Sequence, residues 1–187
     1  MGWRKCAKSM KPGMSERHEI LAYWLVPSAE DAARFQAVVD ALADQQGAPR
    51  FRAHLSFGSV IGEEPDLVEV LAQLQGLTLR PVEIAETPSF TMSLFVRFAP
   101  TAALLAARKL LESHPNFQAS RAFDPHISLC YGAPKDLGAI EPEMAALAET
   151  PVRFDRLIAT SIWLPVETHA DIARWKQRSV YEIPEPN

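Results

Sequence analysis

The sequence predicts an α+β fold, in which helices and antiparallel strands share one core. Segments with apolar residues at helical spacing are interspersed with short segments rich in aromatic and branched residues, in an order that allows antiparallel pairing. The two halves of the chain also follow a similar plan: strand, helix, a strand with a His-x-Ser motif, then a helix and further strands. The 187 residues, of which 48% are hydrophobic and 22% charged, are enough to bury a real core.

The first elements are predicted from local signals. Aromatic and branched residues indicate a strand at Glu19–Val26. Ser28 has the character of an N-cap, and the apolar spacing after it predicts an amphipathic helix at 29–46 that Gly47 closes. The first His-x-Ser strand is then expected at 50–61.

The remaining elements are predicted from periodicity and from the positions of proline and glycine. Helices are expected at Pro65–Leu74, from Thr101 to near His114, and at Pro142–Ala148. Strands are expected at Leu77–Ala85, Phe90–Phe98, Ala122–Tyr131, Val152–Pro165 and Trp175–Ile183. No linker or low-complexity segment divides the chain. We therefore expect a single domain at 16–187 after a flexible tail at 1–15, in which Met14 could be the natural start.

The most informative pattern is Phe-x-x-His-x-Ser, which occurs twice with an aliphatic residue between His and Ser. The first copy carries His54 and Ser56, and the second carries His126 and Ser128. On a strand, residues i and i+2 share one face, so each copy presents an imidazole and a hydroxyl side by side over an apolar backing. We expect the two copies to face each other across one cleft.

This arrangement predicts cleavage of a phosphodiester. In-line displacement at phosphorus needs a base on the attacking side and an acid on the leaving side, and two histidines can supply both. The two serine hydroxyls can donate hydrogen bonds to the non-bridging oxygens, where charge develops. The layout requires no metal or other cofactor.

The structural alternative is that a His-x-Ser pair on a strand is only a hydrogen-bonded packing pair, and the repetition argues against it. The other histidines, His18, His114 and His169, are predicted to be surface or capping residues, with His18 before the first strand and His169 in a polar loop. A zinc site would need about three protein ligands. Only Asp124 and Cys130 lie near the motif histidines, so a metal site is not expected.

The net charge and the cysteine content indicate which binding partners and which cellular compartment to expect for this protein. The net charge of −4 gives no general attraction to nucleic acid or to anionic membranes, and no apolar run is long enough to span a bilayer. The start of the chain lacks the apolar run of a secretory signal, and Cys6 argues against myristoylation. Cys6 and Cys130 form no CxxC pair, which favours a reducing cytoplasm. We expect a cytoplasmic monomer with a small-molecule partner, and neither long nucleic acid nor a membrane.

The paired motifs resemble those of the two-histidine (2H) phosphoesterase superfamily, and most closely its cyclic phosphodiesterase branch, known from plants and yeast. The similarity extends over about 19–180. Beyond the motif pair it is carried by Tyr23–Pro27, Pro49–Phe51, Pro125–Tyr131 and Phe154–Leu157. Ala53 departs from the branch, which tends to have proline there, and Ser56 stands where threonine is common.

The resemblance implies a two-lobed, pseudo-symmetric fold. Each lobe would be an antiparallel sheet with helices on its outer face and one His-x-Ser strand, and the cleft would lie between the lobes. It further implies metal-independent hydrolysis of a nucleoside 2′,3′-cyclic phosphate or of ADP-ribose 1″,2″-cyclic phosphate to a monoester. By this analogy His126 is assigned as the base and His54 as the acid, and the serines hold the phosphate oxygens.

Two aromatic residues are candidates for substrate binding. Tyr131 matches an active-site tyrosine of the branch, although strict alternation places it on the face opposite His126. Trp24 could stack on a base or ribose, but a tryptophan in an apolar strand is also a common core residue. Arg52 alternates onto the face of His54 and could reach the phosphate, with a solvated arginine as the alternative.

Two other functions remain open from the sequence. One is an RNA end-processing 2′-5′ ligase or phosphodiesterase of the same superfamily, which would need a basic groove and show salt-dependent binding. The other is a non-catalytic module that binds a nucleotide in the same cleft. The acidic balance argues against the first, and two intact His-Ser pairs argue against the second.

Overall fold

The fold mixes helices with antiparallel strands, as predicted. A computed structural model describes residues 17–118, 122–134 and 136–186. These described residues contain eight strands and five α-helices, and every strand pairing is antiparallel. The expected tail at 1–15 lies outside the described residues.

The strands and helices are numbered in chain order. The strands are β1 (His18–Pro27), β2 (Leu55–Val60), β3 (Thr78–Leu79), β4 (Pro81–Glu86), β5 (Leu94–Phe98), β6 (His126–Cys130), β7 (Val152–Leu164) and β8 (Lys176–Glu182). The helices are α1 (Ala29–Gln46), α2 (Val68–Gln73), α3 (Ala102–Glu112), α4 (Glu141–Leu147) and α5 (His169–Ile172). Short 3₁₀ turns lie at Phe90–Met92 and Gly138–Ile140.

The sheet is divided at its centre, between the two motif strands. The strand order is β3-β7-β1-β2-β6-β5-β4, with β8 also paired to β7. Within the described chain, β2 and β6 pair through Leu55 and Ile127 alone, whereas β1 pairs with β7 along its whole length. One lobe is therefore built on β1, β2, β3, β7 and β8, and the other on β4, β5 and β6. This confirms the two-lobed α+β arrangement.

The two lobes repeat one unit. In each unit a strand leads through a helix to the motif strand that pairs with it: β1-α1-β2 in one lobe and β5-α3-β6 in the other. Helix α1 contacts β6 and helix α3 contacts β2, so each helix packs beneath the motif strand of the other lobe. Burial fixes which way the motif strands face, because Leu55, Phe57, Ile127 and Leu129 are all fully buried in the shared core.

Some boundaries differ from those predicted. The motif strands are shorter, since His54 immediately precedes β2 and His126 is the first residue of β6. The strand expected at 77–85 is two strands, because β3 pairs with β7 while β4 pairs with β5. The strand expected at 90–98 begins with a 3₁₀ turn and becomes extended only at Leu94.

Two histidine placements also need correction. His169 lies in α5 rather than in a loop; this helix has four residues, too few for helical periodicity to reveal, and starts with a capping box between Thr168 and Asp171. His18 is the first residue of β1 rather than preceding it.

Candidate active site

The divided centre of the sheet opens into a cleft with a volume of about 620 Å³. All six residues predicted for the site line this cleft: His54, Ser56, His126, Ser128, Trp24 and Tyr131. Arg52 is not among the described residues that line it. The structure therefore brings both His-Ser pairs together in one cavity, as the repeated motif predicts.

Both imidazoles make the same hydrogen bond to the backbone, with the carbonyl oxygen of the residue two positions earlier. Nδ1 of His54 lies 2.6 Å from the carbonyl oxygen of Arg52, and Nδ1 of His126 lies 2.6 Å from that of Asp124. A carbonyl oxygen can only accept, so Nδ1 must carry the proton in each neutral ring. This fixes the tautomer and leaves Nε2 of both rings as the nitrogen available to a substrate.

The two rings differ in their electrostatic surroundings. His54 is only 5% exposed, and this burial lowers its pKa to about 4, with His126 adding to the effect and the Arg52 carbonyl opposing it. Burial also lowers the pKa of His126, but the backbone and the carboxylate of Asp124 oppose that change. Near-identical motifs thus sit in unequal environments, and protonation costs more at His54.

Aromatic rings account for the burial of His54. The Trp24 ring stacks on the imidazole with the ring centroids 3.8 Å apart and an interplanar angle of 19°. Trp175 packs edge-on against both, with centroids 5.1 Å from Trp24 and 6.0 Å from His54. Trp175 lines the cleft, whereas the sequence predicts it only as the first residue of the last strand.

The serine hydroxyls are not equivalent. The Ser56 side chain is exposed in the cleft. Ser128 is buried, and its hydroxyl donates to the Thr91 carbonyl at 3.2 Å. Ser128 would have to redirect its proton to donate to a bound group, whereas Ser56 faces the cleft directly.

Tyr131 reaches the cleft because the strand ends before it. Strand β6 stops at Cys130, and Gly132 adopts a left-handed φ of 78°, so alternation no longer determines the direction of the tyrosine. Its ring packs 4.4 Å from Phe51 and edge-on to Trp175 at 5.6 Å. Burial raises the pKa of Tyr131, and a side-chain hydrogen bond with Ser128 opposes the change. His169 stabilises the turn after β6, because its Nε2 donates a hydrogen bond to the Tyr131 carbonyl at 2.9 Å.

The two ends of the cleft differ in character. Towards β7 the lining is apolar and includes Ile162, Leu164, Pro165 and Val166. Towards α3 it becomes polar and includes Ser59, Arg108 and Gln118. None of these residues is predicted from the sequence, because their side chains meet only through the tertiary fold.

The described residues contain neither a group of metal ligands nor a membrane-spanning helix. Within 17–118, 122–134 and 136–186, no three His, Cys, Asp or Glu side chains are grouped to hold a metal ion. Cys130 is buried, and burial raises the pKa of its thiol. None of the helices in these same ranges has the length and apolar character needed to cross a membrane.

Comparison with known proteins finds similarity only among solved structures. No protein-family model matches the chain, and no curated protein matches it. The chain is similar to Escherichia coli LigT in apo form, with a TM-score of 0.49 and 15% identity over 91% of this chain and 99% of LigT. LigT complexed with 3′-AMP gives a TM-score of 0.49 and 15% identity over 88% and 98%. Kluyveromyces marxianus Usb1 gives a TM-score of 0.35 and 12% identity over 88% and 97%. At this level of similarity, function has to be inferred from the cleft itself.

Proposed function

We propose that this chain is a 2H phosphoesterase that hydrolyses a nucleotide cyclic phosphate to a phosphomonoester by two-histidine acid–base catalysis. One observation carries the proposal. Both motif histidines line one cleft, and in both the Nδ1 proton is held by the carbonyl two residues earlier, which leaves two Nε2 atoms for the reaction. Two identically oriented imidazoles suit a reaction that needs one proton removed and one proton delivered.

The unequal environments assign the two roles. The base must be unprotonated before attack, and the low pKa of His54 favours that state. The acid must hold a proton on Nε2, and Asp124 makes this easier at His126. We therefore propose His54 as the base and His126 as the acid, the reverse of the order assigned from the resemblance.

The reaction can be written with its protons balanced. Nε2 of His54 removes a proton from water as the water oxygen bonds to phosphorus. The bond from phosphorus to one ribose oxygen breaks, and the Nε2 proton of His126 passes to that oxygen. The product is a phosphomonoester with a free hydroxyl, and proton exchange with solvent restores both rings. Ser56 and Ser128 donate to the non-bridging oxygens, where negative charge increases.

The aromatic residues have supporting roles in this proposal. One face of the Trp24 ring is covered by His54, so Trp24 positions the imidazole instead of stacking a base on that face. Tyr131 packs against Phe51 and Trp175 and shapes the wall of the cleft. The apolar wall near β7 remains available for a base or ribose.

The test is turnover of nucleoside 2′,3′-cyclic phosphates in EDTA by the wild type, His54→Ala, His126→Ala and the control His114→Ala. His114 lies outside the cleft lining, and its Nδ1 accepts the Asn116 backbone N–H. We expect each motif variant to lose about 10²–10⁴-fold in kcat, the usual contribution of one general acid or base. The control should keep wild-type activity, and undiminished turnover in either motif variant would refute the acid–base proposal.

The same assay separates the two alternative functions. A binding module would bind nucleotide and show no turnover in any variant. An RNA end-processing enzyme would prefer an oligonucleotide with a cyclic end over a mononucleotide, and its affinity would fall steeply with salt.

A further inference from the structure

The polar end of the cleft contains a buried arginine that the proposed acid–base reaction does not use. Arg108 belongs to α3, on the helical side of the sheet, yet it lines the cleft. It reaches the cleft next to β2, where pairing with β6 has ended after Leu55. The side chain is 11% exposed, so a full positive charge is held in a largely desolvated position.

The guanidinium is fixed in place by several groups. Nη1 donates to the carbonyl oxygen of Phe57, and Nε donates to the Glu112 carboxylate at 2.7 Å. The guanidinium carbon lies 4.7 Å from the ring centroids of both Phe117 and Phe123, as in cation–π contacts. Because Arg108 is held on several sides, little conformational freedom would be lost when it binds a ligand.

Arg108 has further N–H groups that the contacts with Phe57 and Glu112 do not use. A guanidinium has five N–H groups, and the contacts with Phe57 and Glu112 use one each. Among the described residues, the Nη2 donors have no hydrogen-bond partner, and Nη2 is not a buried, unsatisfied atom. Planar, fixed guanidinium donors on a residue that lines the cleft match the geometry of a phosphate group.

Arg108 is anchored to β2 close to one of the proposed phosphate-binding serines. Arg108 bonds the carbonyl of Phe57, the residue that follows Ser56. Its Nη1 also lies 3.2 Å from the position that a Cβ would take on Gly58, two residues after Ser56. Two residue spacings along a strand are roughly 7 Å, so the guanidinium lies about one ribose away from the hydroxyl proposed to hold the cyclic phosphate. An anion at Arg108 would therefore be a second group on the same substrate.

We propose that Arg108 forms a subsite for a second phosphoryl group, so that the preferred substrate is a cyclic phosphate bearing a further phosphate or diphosphate. This inference rests on the proposed function, because it assigns the cyclic phosphate to the two His-Ser pairs. It distinguishes a phosphorylated nucleotide or an ADP-ribose derivative from a bare nucleoside 2′,3′-cyclic phosphate. Glu112 reduces the charge of the subsite, since its carboxylate already pairs with Arg108.

The test compares kcat/KM for adenosine 2′,3′-cyclic phosphate, its 5′-phosphorylated form and ADP-ribose 1″,2″-cyclic phosphate. A hydrogen-bonded ion pair predicts a wild-type preference of about tenfold or more for at least one of the phosphorylated substrates. Arg108→Gln should remove the preference and keep turnover of the bare substrate, and Glu112→Gln should increase it. Because the preference is a ratio of two substrates, a smaller folded fraction of Arg108→Gln would not change it.

Arg50→Gln is the matched control, because it removes the same charge from an exposed arginine outside the cleft lining. It should keep the wild-type preference. Equal kcat/KM for all three substrates in the wild type would overturn the subsite and leave the proposed function intact. An equal loss of kcat/KM on all three substrates in Arg108→Gln would also overturn the subsite.

A binding measurement tests the subsite separately from the reaction. Adenosine 3′,5′-bisphosphate and adenosine 3′-phosphate can be titrated against the fluorescence of the cleft tryptophans. If no substrate is turned over, the proposed function fails. Tighter binding of the bisphosphate, lost in Arg108→Gln, would still support the subsite, and equal binding of the two nucleotides would refute it.

Discussion

The burial of His54 predicts a specific dependence of stability on pH. An unfolded chain exposes this histidine to water, where its pKa is near 6.5, whereas burial in the fold lowers its pKa to about 4. Between pH 6.5 and pH 4, His54 is therefore protonated in the unfolded state but mostly neutral in the folded state. The contribution of His54 to stability is therefore complete above pH 6.5 and decreases as the pH falls towards 4.

The magnitude follows from the two pKa values. One pKa unit corresponds to about 1.4 kcal/mol, so His54 alone should remove about 3 kcal/mol from the free energy of unfolding by pH 4. The side chain is only 5% exposed, so little solvent screening reduces this figure. Asn is a suitable replacement, because its amide can still donate to the Arg52 carbonyl but takes up no proton over this range.

The assay is urea unfolding of the wild type and His54→Asn near neutral pH and near pH 4. Other groups titrate in both proteins, so the informative quantity is the difference between their losses. The wild type should lose about 3 kcal/mol more than His54→Asn. His114→Asn, as the control, should behave like the wild type. Equal losses in the wild type and His54→Asn would refute a buried, neutral His54.

Three further predictions concern the rate, the stacked ring and the packing beneath the cleft. Because burial lowers the pKa of both motif histidines, kcat/KM should be highest below pH 6.5. It should fall on the acid side as His54 is protonated and on the alkaline side as His126 loses its proton. A maximum above pH 7 would contradict this assignment of base and acid. Trp24→Ala should expose His54 and move the acid limb of that profile to higher pH, whereas an unmoved limb would show that the stacked ring does not set the pKa. Gly58→Ala should lower the free energy of unfolding by about 1–3 kcal/mol, because its Cβ would lie 2.6 Å from a leucine methyl on α3. Gly138→Ala, whose Cβ would have no neighbour closer than 3.5 Å, is its control in denaturant unfolding.

The elements that the sequence predicts best are those determined by neighbouring residues. Helix α1 has the predicted bounds because both of its ends are local: the Ser28 side chain accepts the Asp31 N–H, and Gly47 takes the left-handed C-cap. The break between β3 and β4 could not be predicted in this way. It depends on which strands lie beside 77–86, and β3 and β4 pair in different lobes.

The same distinction applies to the site. The repeated pattern was sufficient to place His54 and His126 together, because a two-residue period on adjacent strands determines their face. Trp175 and Arg108 were not predictable, since they reach the cleft from elements distant in sequence from the strands they contact. Tyr131 was uncertain from the sequence because its direction depends on where β6 ends, and that end is set by the turn at Gly132.

The division of roles between the histidines illustrates why a symmetric motif need not give symmetric chemistry. The two copies present the same side chains and the same Nδ1 contact, so the sequence gives no reason for either imidazole to prefer a proton. The difference comes from what each lobe places around the motif. One lobe stacks Trp24 on His54, whereas the other leaves the carboxylate of Asp124 close enough to favour protonation of His126. In a pair of equal imidazoles, the singly protonated state would carry its proton on either ring equally often, so neither ring would be assigned as base or acid. Unequal burial separates the two proton affinities, and this separation favours the protonation state in which the base is on one side and the acid is on the other.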